Sequence, residues 1–389
     1  MCDRLVSDIH HPDRLNAAGM PVTVGNLLDM ATGEMFPWYK AHFLPSPVMP
    51  SQKFKLHPLK VGVDGCIEGF RVEAAVAGCA APQNVILSNN VKAAALFNLR
   101  LVQYHCRINN MPMEEYSRFE LRHVRLVDVE LTYLFKLETA KAVQVALDML
   151  KARATALYGK KAKFYGSGGS YTLCIETPGG IIKVYIKDLE AQPKALRVAD
   201  AAVRGEIEEL APLLLRIEVV LRAADLEKMT LSSPEDWHLP EAGDPESDTY
   251  RKVFNKVIRE RLKLDAWHVT EAPTEETMAS LADTHRTLLE FHLQGNNARD
   301  HELCRYSGSG KLDPNYYQIR AAILAKVGID LDIPWELQVA GMADNLSALL
   351  QYDQRFRVPE HLRAHSFTGA LFNPMIAALE SVLFPEEGA

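Results

Sequence analysis

Phe70, Val72 and Ala74 alternate with Arg71, Glu73 and Ala75, so Gly69–Val76 carries the period of a half-buried β-strand. Leu59–Val63 (LKVGV) precedes it as a first strand, and Asp64-Gly65 suits a tight hairpin turn between the two. Within Val91–Ile108, apolar Val91, Ala95, Leu99, Val102 and Cys106 recur at steps of three and four, which predicts a helix. Phe119–Phe135 returns to alternation with β-branched residues and predicts one or two strands. Thr139–Tyr158 predicts a helix with Thr139 as its N-cap and Gly159 as its stop. Lys163–Ile175 and Gly180–Ile186 read as an antiparallel hairpin that turns through ETPGG. Leu189–Leu210 reads as a helix interrupted at Pro193, and Leu213–Leu221 (LLLRIEVVL) as a strand. Strands separated by helices, with hairpins among them, predict an α+β fold: an antiparallel β-sheet with flanking helices, followed by a mostly helical C-terminal region.

The chain divides by pattern. Residues 1–58 are proline-rich, as in Phe43–Pro50 (FLPSPVMP), and predict irregular loop or edge structure. Residues 59–231 make the α+β unit. Ser232–Asp248 holds six acidic residues, three prolines and no Lys or Arg, the composition of a linker or long surface loop. Residues 249–389 read as helical, best in Arg251–Leu264, Thr277–Gln294, Tyr316–Val327 and Pro334–Leu350. No fixed-period repeat is present.

Composition narrows the class. With 389 residues and 48% hydrophobic, the chain has material for several domains of ~150 residues. A disordered, collagen-like or disulfide-stapled protein is excluded. The net charge of −7 means that any nucleic-acid surface must be argued locally. Six cysteines are scattered without a CxxC pair, against a zinc ribbon or thioredoxin-like motif. The polar N-terminus is unlike a secretory leader, and no apolar run approaches the roughly 20 residues of a membrane span. A cytoplasmic protein without membrane contact is the expectation.

Local charge is concentrated in Lys151–Lys187. Lys151, Arg153, Lys160, Lys161, Lys163, Lys183 and Lys187 stand there against a single acid, Glu176. Beside the glycines and hydroxyls of FYGSGGSYT this is either a phosphate-contacting surface or a solvated hairpin. Gly166–Ser170 is not a phosphate-binding loop of the GK[ST] type, because a strand-like segment follows it. On a strand, Lys183, Tyr185 and Lys187 share one face. A tyrosine flanked by two cations suits a nucleophile, since positive charge favours the phenolate and holds a phosphodiester beside it. Asp128 and Glu130 share a strand face, with Arg122 and Arg125 near its start. Glu218 lies in an otherwise apolar strand. Such carboxylates either pair with neighbouring arginines or hold a divalent metal, and oxygen ligands without a His/Cys cluster suit Mg²⁺ or Mn²⁺. His361 and His365 stand four apart but lack the glutamate of an HExxH motif, which favours a surface reading.

These elements together resemble the replication initiators of filamentous phages and related plasmids, the gene II/X family. PQNVILSNNV (82–91) is similar to the family's segment around "QGHNVFG". Arg125 to Asp128 is similar to its "RID", and KVYIKDLE to its Y-x-K-x-x-E element, carried by Tyr185, Lys187 and Glu190. LLRIEVVLR is similar to "VRFEARI", through Arg216 and Glu218. FHLQGNNARDHEL followed by YYQIRAAILAKVGIDL resembles its C-terminal segment. The likeness spans roughly residues 60–332. Leu126 and Val127 both stand between Arg125 and Asp128, no histidine occupies the "QGHN" position, and Gly168-Gly169 replaces a serine-arginine pair.

The resemblance implies a rolling-circle initiator, a metal-dependent DNA endonuclease and strand transferase. Tyr185 would form a covalent phosphotyrosine intermediate at an origin, with Lys187 and Lys183 stabilising charge. Asp128, Glu218, Glu190 and Glu130 would hold Mg²⁺ or Mn²⁺, and Arg125, Lys160, Lys161, Lys163 and Arg216 would contact DNA. Asn296–Leu303 and Asn315–Val327 would form a helix-turn-helix-like pair. Double- and single-stranded origin DNA, with host helicase and polymerase, are the implied partners. The alternative is a non-catalytic DNA-binding replication regulator of phage or plasmid origin; a structural or partner-binding protein is a third.

Overall fold

β1 (Cys2–Asn16) lies in the interior of a nine-stranded antiparallel sheet and organises it. This is a computed structural model. It describes residues 2–16, 24–28, 35–39, 42–60, 66–87, 89–167, 170–177, 180–190, 192, 195–239, 248–264, 272–305, 312–332, 334–335, 347–363, 365, 379–381 and 383–384. β2 (Val24–Leu28) and β3 (Met35–Tyr39) form a separate two-stranded ladder. The large sheet adds β4 (His42–Pro45), β5 (Lys53–Leu59), β6 (Cys66–Ala74), β7 (Val124–Lys136), β8 (Ala162–Ser167), β9 (Ser170–Thr177), β10 (Gly180–Ile186) and β11 (Leu214–Arg222). Its order is β4-β5-β6-β1-β7-β11-β10-β9-β8.

The irregular structure expected over 1–58 is therefore corrected: β1, β4 and β5 all join the sheet. The reason lies in β1 itself. Leu5, Ser7 and Ile9 point to the helix-covered face, where Asn98 donates to the Ser7 hydroxyl at 3.0 Å. Val6 points to the opposite face, between Glu73 and Asp128. A buried serine and an outward valine erase the alternation that marks a strand. Gly69 lets β6 approach β1 closely. Its φ is +149°, and a Cβ there would lie 2.1 Å from the Ile9 carbonyl oxygen.

The helices include α1 (Val76–Ala80), α2 (Val91–Ile108), α3 (Met113–Tyr116), α4 (Ala140–Tyr158), α5 (Ala201–Leu210), α6 (Ala223–Lys228), α7 (Thr249–Val253), α8 (Glu260–Leu262), α9 (Glu275–Ala279), α10 (Asp283–Leu293), α11 (Asn315–Val327) and α12 (Glu360–Arg363). α2 matches its predicted bounds, with the Asn90 side chain accepting from Ala93 N–H. α4 is capped by Thr139 as predicted and stops at Gly159. A π-helical turn, Phe254–Arg259, joins α7 to α8. α2, α4 and the α7–α8 segment cover one face of the sheet and form the main core with Phe70, Leu131, Phe135, Ile182 and Val219. On the other face, α5, Val85, Ile86 and Val358 pack with Leu134 and Leu214 in a second core. The remainder of that face carries cross-strand ion pairs, including Arg71 with Asp8 and Lys163 with Glu176.

Several boundaries differ from the pattern. Lys163–Ile175 is two strands, β8 and β9, so the predicted two-stranded hairpin is a three-stranded meander with β10. The helix expected over Leu189–Leu210 begins only at Ala201. The predicted strand Leu59–Val63 falls largely outside the described residues, as does the Asp64-Gly65 turn; the strand pairing with β6 there is β5. At the acidic segment, residues 240–247 lie outside the described residues, while its ends are packed. Trp237 is buried and donates to the Leu231 carbonyl at 3.1 Å, and Asp248 caps α7. Asn296–Leu303 is not the expected α-helix but two 3₁₀ turns, Ala298–Asp300 and Glu302–Cys304. α10 and α11 pack in a third core with Ile329 and Leu331. Most of Pro334–Leu350 lies outside the described residues. No helix among them is long and apolar enough to cross a membrane.

Candidate active site on the β7–β11–β10 strands

β10 and β11 pair with Lys183 opposite Glu218 and Tyr185 opposite Arg216. On the other side of β11, Thr132 of β7 lies opposite Glu218, and Glu130 opposite Val220. Directly opposed residues point to the same face. Three neighbouring strands thus bring Glu130, Thr132, Lys183, Tyr185, Arg216 and Glu218 together on the face that the main helical layer leaves uncovered.

Arg216 is only 1% exposed, and its donors are spent inside the protein. Nε donates to Glu218 Oε1 at 2.8 Å. Nη1 donates to the carbonyls of Asn84 at 3.0 Å and Val85 at 3.3 Å, and Nη2 to Thr132 Oγ1 at 3.5 Å. The Asn84–Val85 turn is held by Gln83, whose Oε1 accepts from the N–H of Val85 and Ile86. The Tyr185 hydroxyl donates to Glu218 Oε1 at 2.5 Å, and the Arg216 guanidinium lies 5.6 Å from the centre of its ring. Lys183 Nζ donates to Glu130 Oε1 and lies 3.5 Å from Glu218 Oε2.

Burial is the largest influence on each glutamate, yet their protonation diverges. Burial pushes the Glu130 carboxyl up to about 7, and the neighbouring Glu218 charge adds to the rise. Burial alone would raise Glu218 as well. Arg216 and then Lys183 reverse it and hold Glu218 down at about 2, helped by hydrogen bonds from Glu130 and Tyr185. The Lys183 ammonium is raised: burial opposes its charge, but Glu130 and Glu218 outweigh burial. Glu218 is thus a carboxylate at neutral pH, and by accepting the Tyr185 hydrogen bond it orients the phenol.

Of the residues singled out in the sequence, Tyr185, Lys183, Glu130 and Glu218 come together here. Arg216, expected to contact DNA, is corrected: it is buried and positions Glu218. Lys187 is buried just past the end of β10, and Glu190 is exposed in the following turn. Asp128 is half-buried at an irregularity of β7, opposite Val6 and Arg222 and about 7 Å along the strand from Glu130. Arg125 is exposed and paired with Glu227. Lys161 is exposed, Lys163 pairs with Glu176 at 3.0 Å, and the Lys160 side chain lies outside the described residues. The cationic stretch is also dispersed. Arg153 is buried and donates to the carbonyls of Leu262 and Lys263, and Lys183 is held by the two glutamates.

The expected metal ligands do not fit Mg²⁺ or Mn²⁺ in this arrangement. Mg²⁺ takes about six oxygens in near-ideal octahedral geometry, supplied by one or two carboxylates together with waters and substrate phosphates. Here Oε1 of each glutamate already accepts, from Lys183 at Glu130 and from Tyr185 and Arg216 at Glu218, and two cations balance two carboxyl groups. Among the described residues no three His, Cys, Asp or Glu side chains gather as a metal site. The sequence reading missed Thr132 and the carbonyls of Asn84 and Val85. The carbonyls carry no side-chain signal, because any residue type supplies one. No family model, no curated protein and no solved structure matches this chain.

Proposed function

We propose that the protein is a DNA strand transferase that initiates rolling-circle replication, with Tyr185 as nucleophile. The observation that carries the reading is the 2.5 Å hydrogen bond from the half-buried Tyr185 hydroxyl to Glu218, beside Lys183 on the sheet face opposite the main helical layer. Tyr185 Oη, oriented by its hydrogen bond to Glu218, attacks the scissile phosphorus and gives its proton to water. The Oη–P bond forms and the P–O3′ bond breaks. O3′ takes a proton from water, so the proton lost by tyrosine is balanced. The product is a 5′-phosphotyrosyl protein and a free 3′-OH that primes synthesis. A later attack by a 3′-OH on the phosphotyrosine rejoins a strand, and the covalent intermediate conserves the bond energy without ATP. Arg125, Lys161 and Lys163 are exposed cations for the DNA backbone.

The saturated hydrogen bonding around Glu218 favours one second reading, a DNA-binding regulator in which the same network is structural. One experiment separates the two. The full chain and Tyr185→Phe are incubated with supercoiled DNA carrying the origin of the protein's own replicon, and the products are run on a denaturing gel. A nicked circle with a covalent protein–DNA adduct, both lost in Tyr185→Phe, is the expected result. Origin binding without nick or adduct would establish the regulator. Nicking that survives Tyr185→Phe would assign the reaction to another nucleophile.

A further inference from the structure

We propose that Lys183 stands where a divalent cation would otherwise sit, so that strand transfer by Tyr185 runs without a metal. This inference rests on the tyrosine reading above. The register places Lys183 directly opposite Glu218, and its ammonium reaches a carboxylate on each of two other strands, Glu130 on β7 and Glu218 on β11. Bridging two acidic side chains on neighbouring strands is the work a divalent ion would do in such a site. The lysine side chain is 31% exposed, whereas those of Glu130 and Glu218 are 8% and 4% exposed, so the cation forms the solvent side of the cluster. An incoming phosphate therefore meets the ammonium before it meets either carboxylate.

Charge balance gives the same answer. Lys183 and Arg216 supply two positive charges, and the glutamates at most two negative ones. A dication inserted here would face two fixed cations with no surplus negative charge to hold it. An ammonium has three donors. Two go to Glu130 and Glu218 among the described residues, which leaves one for a phosphate oxygen. From Lys183 to Tyr185 is two residues along one strand face, about 7 Å, within the span of a bound phosphodiester. Lys183 would then stabilise the charge that develops on the phosphorane oxygens as Tyr185 Oη attacks.

The test uses the full chain and the same origin DNA, first in Mg²⁺ and then, after stripping on a chelating resin, in excess EDTA. The same yield of Tyr185-dependent adduct is expected in both. Lys183→Met should lower that yield by about 100-fold or more in both, the loss typical of removing one donor to a developing oxyanion. As a measurement independent of any weakly folding variant, Mn²⁺ is titrated into the unmodified protein and followed by electron paramagnetic resonance. Wild type and Glu130→Gln should give the same binding curve. A Mn²⁺ site in the wild type that Glu130→Gln removes would overturn the proposal. So would an adduct that forms in Mg²⁺ and vanishes in EDTA, which would leave the tyrosine reading standing. Absence of the adduct in both buffers would overturn the tyrosine reading and this inference with it.

Discussion

The Tyr185 hydroxyl donates to Glu218, not to the residue opposite it in the sheet: Arg216 fills that position, and its Nε donates to the same Glu218 oxygen. Both donors converge on Oε1, and the arginine has no solvent to fall back on. Removing one member of a buried charge pair typically costs about 3–5 kcal/mol, whereas replacing both with apolar residues of similar volume is often nearly neutral. Arg216→Met should therefore lower stability by that amount in urea titrations, and Arg216→Met/Glu218→Leu should recover most of it. A single-variant loss below about 1 kcal/mol, the scale of an exposed pair, would show that Arg216 does not hold the site.

His105 gives a pH dependence of known sign. It is buried at the C-terminal half of α2 against Phe70, and burial lowers its pKa to about 4, with a smaller contribution from His42. Its folded value lies below the unfolded one, so the neutral ring contributes stability that is complete above about pH 6.5 and is lost as pH falls toward 4. The loss should approach roughly 3 kcal/mol, and His105→Gln should flatten the stability profile across that window. An unchanged slope in the variant would assign the acid sensitivity to other groups.

Gly69→Ala should destabilise the sheet at the β1–β6 contact. The new Cβ would meet the Ile9 carbonyl and lie 2.9 Å from the His10 Cα, both backbone atoms that move only with the strand. Overpacking of this kind costs about 1–3 kcal/mol, to which the strained φ adds. The readout is the thermal midpoint, and a midpoint equal to wild type would mean that β1 shifts freely.

In the C-terminal core, Arg320 donates to both oxygens of Asp330 at 2.6 and 2.8 Å, while Asp332 accepts from Arg299 and Tyr316. Asp330→Asn removes the carboxylate that accepts both Arg320 donors and leaves the guanidinium only Asp332, 3.4 Å from Nε, at a cost of up to about 3–5 kcal/mol. Amide exchange in α11 should accelerate while exchange in α4 stays at the wild-type rate, because the two helices belong to different cores. Uniform acceleration across both would show that they open as one unit.

Elements with simple periodicity and a local cap were legible in the chain alone. α2 appears where its apolar spacing places it, α4 where Thr139 and Gly159 bound it, and β11 follows its apolar run. Tyr185, Lys183, Glu130 and Glu218 also stood out in the chain, because charged groups inside strand patterns demand partners. β1 was hidden because Ser7 points inward and Val6 outward, a reversal that only the Asn98 hydrogen bond and the flanking charged strands make favourable. The part of Arg216 was equally hidden. An arginine reads as a surface cation until the fold brings two carbonyls from residues 84 and 85, more than 130 positions away, onto its donors. Periodicity is a property of neighbouring residues and survives in the sequence. Which partners satisfy a buried charge is decided between strands distant along the chain, and only the register of β7, β11 and β10 determines that Lys183 meets the two glutamates.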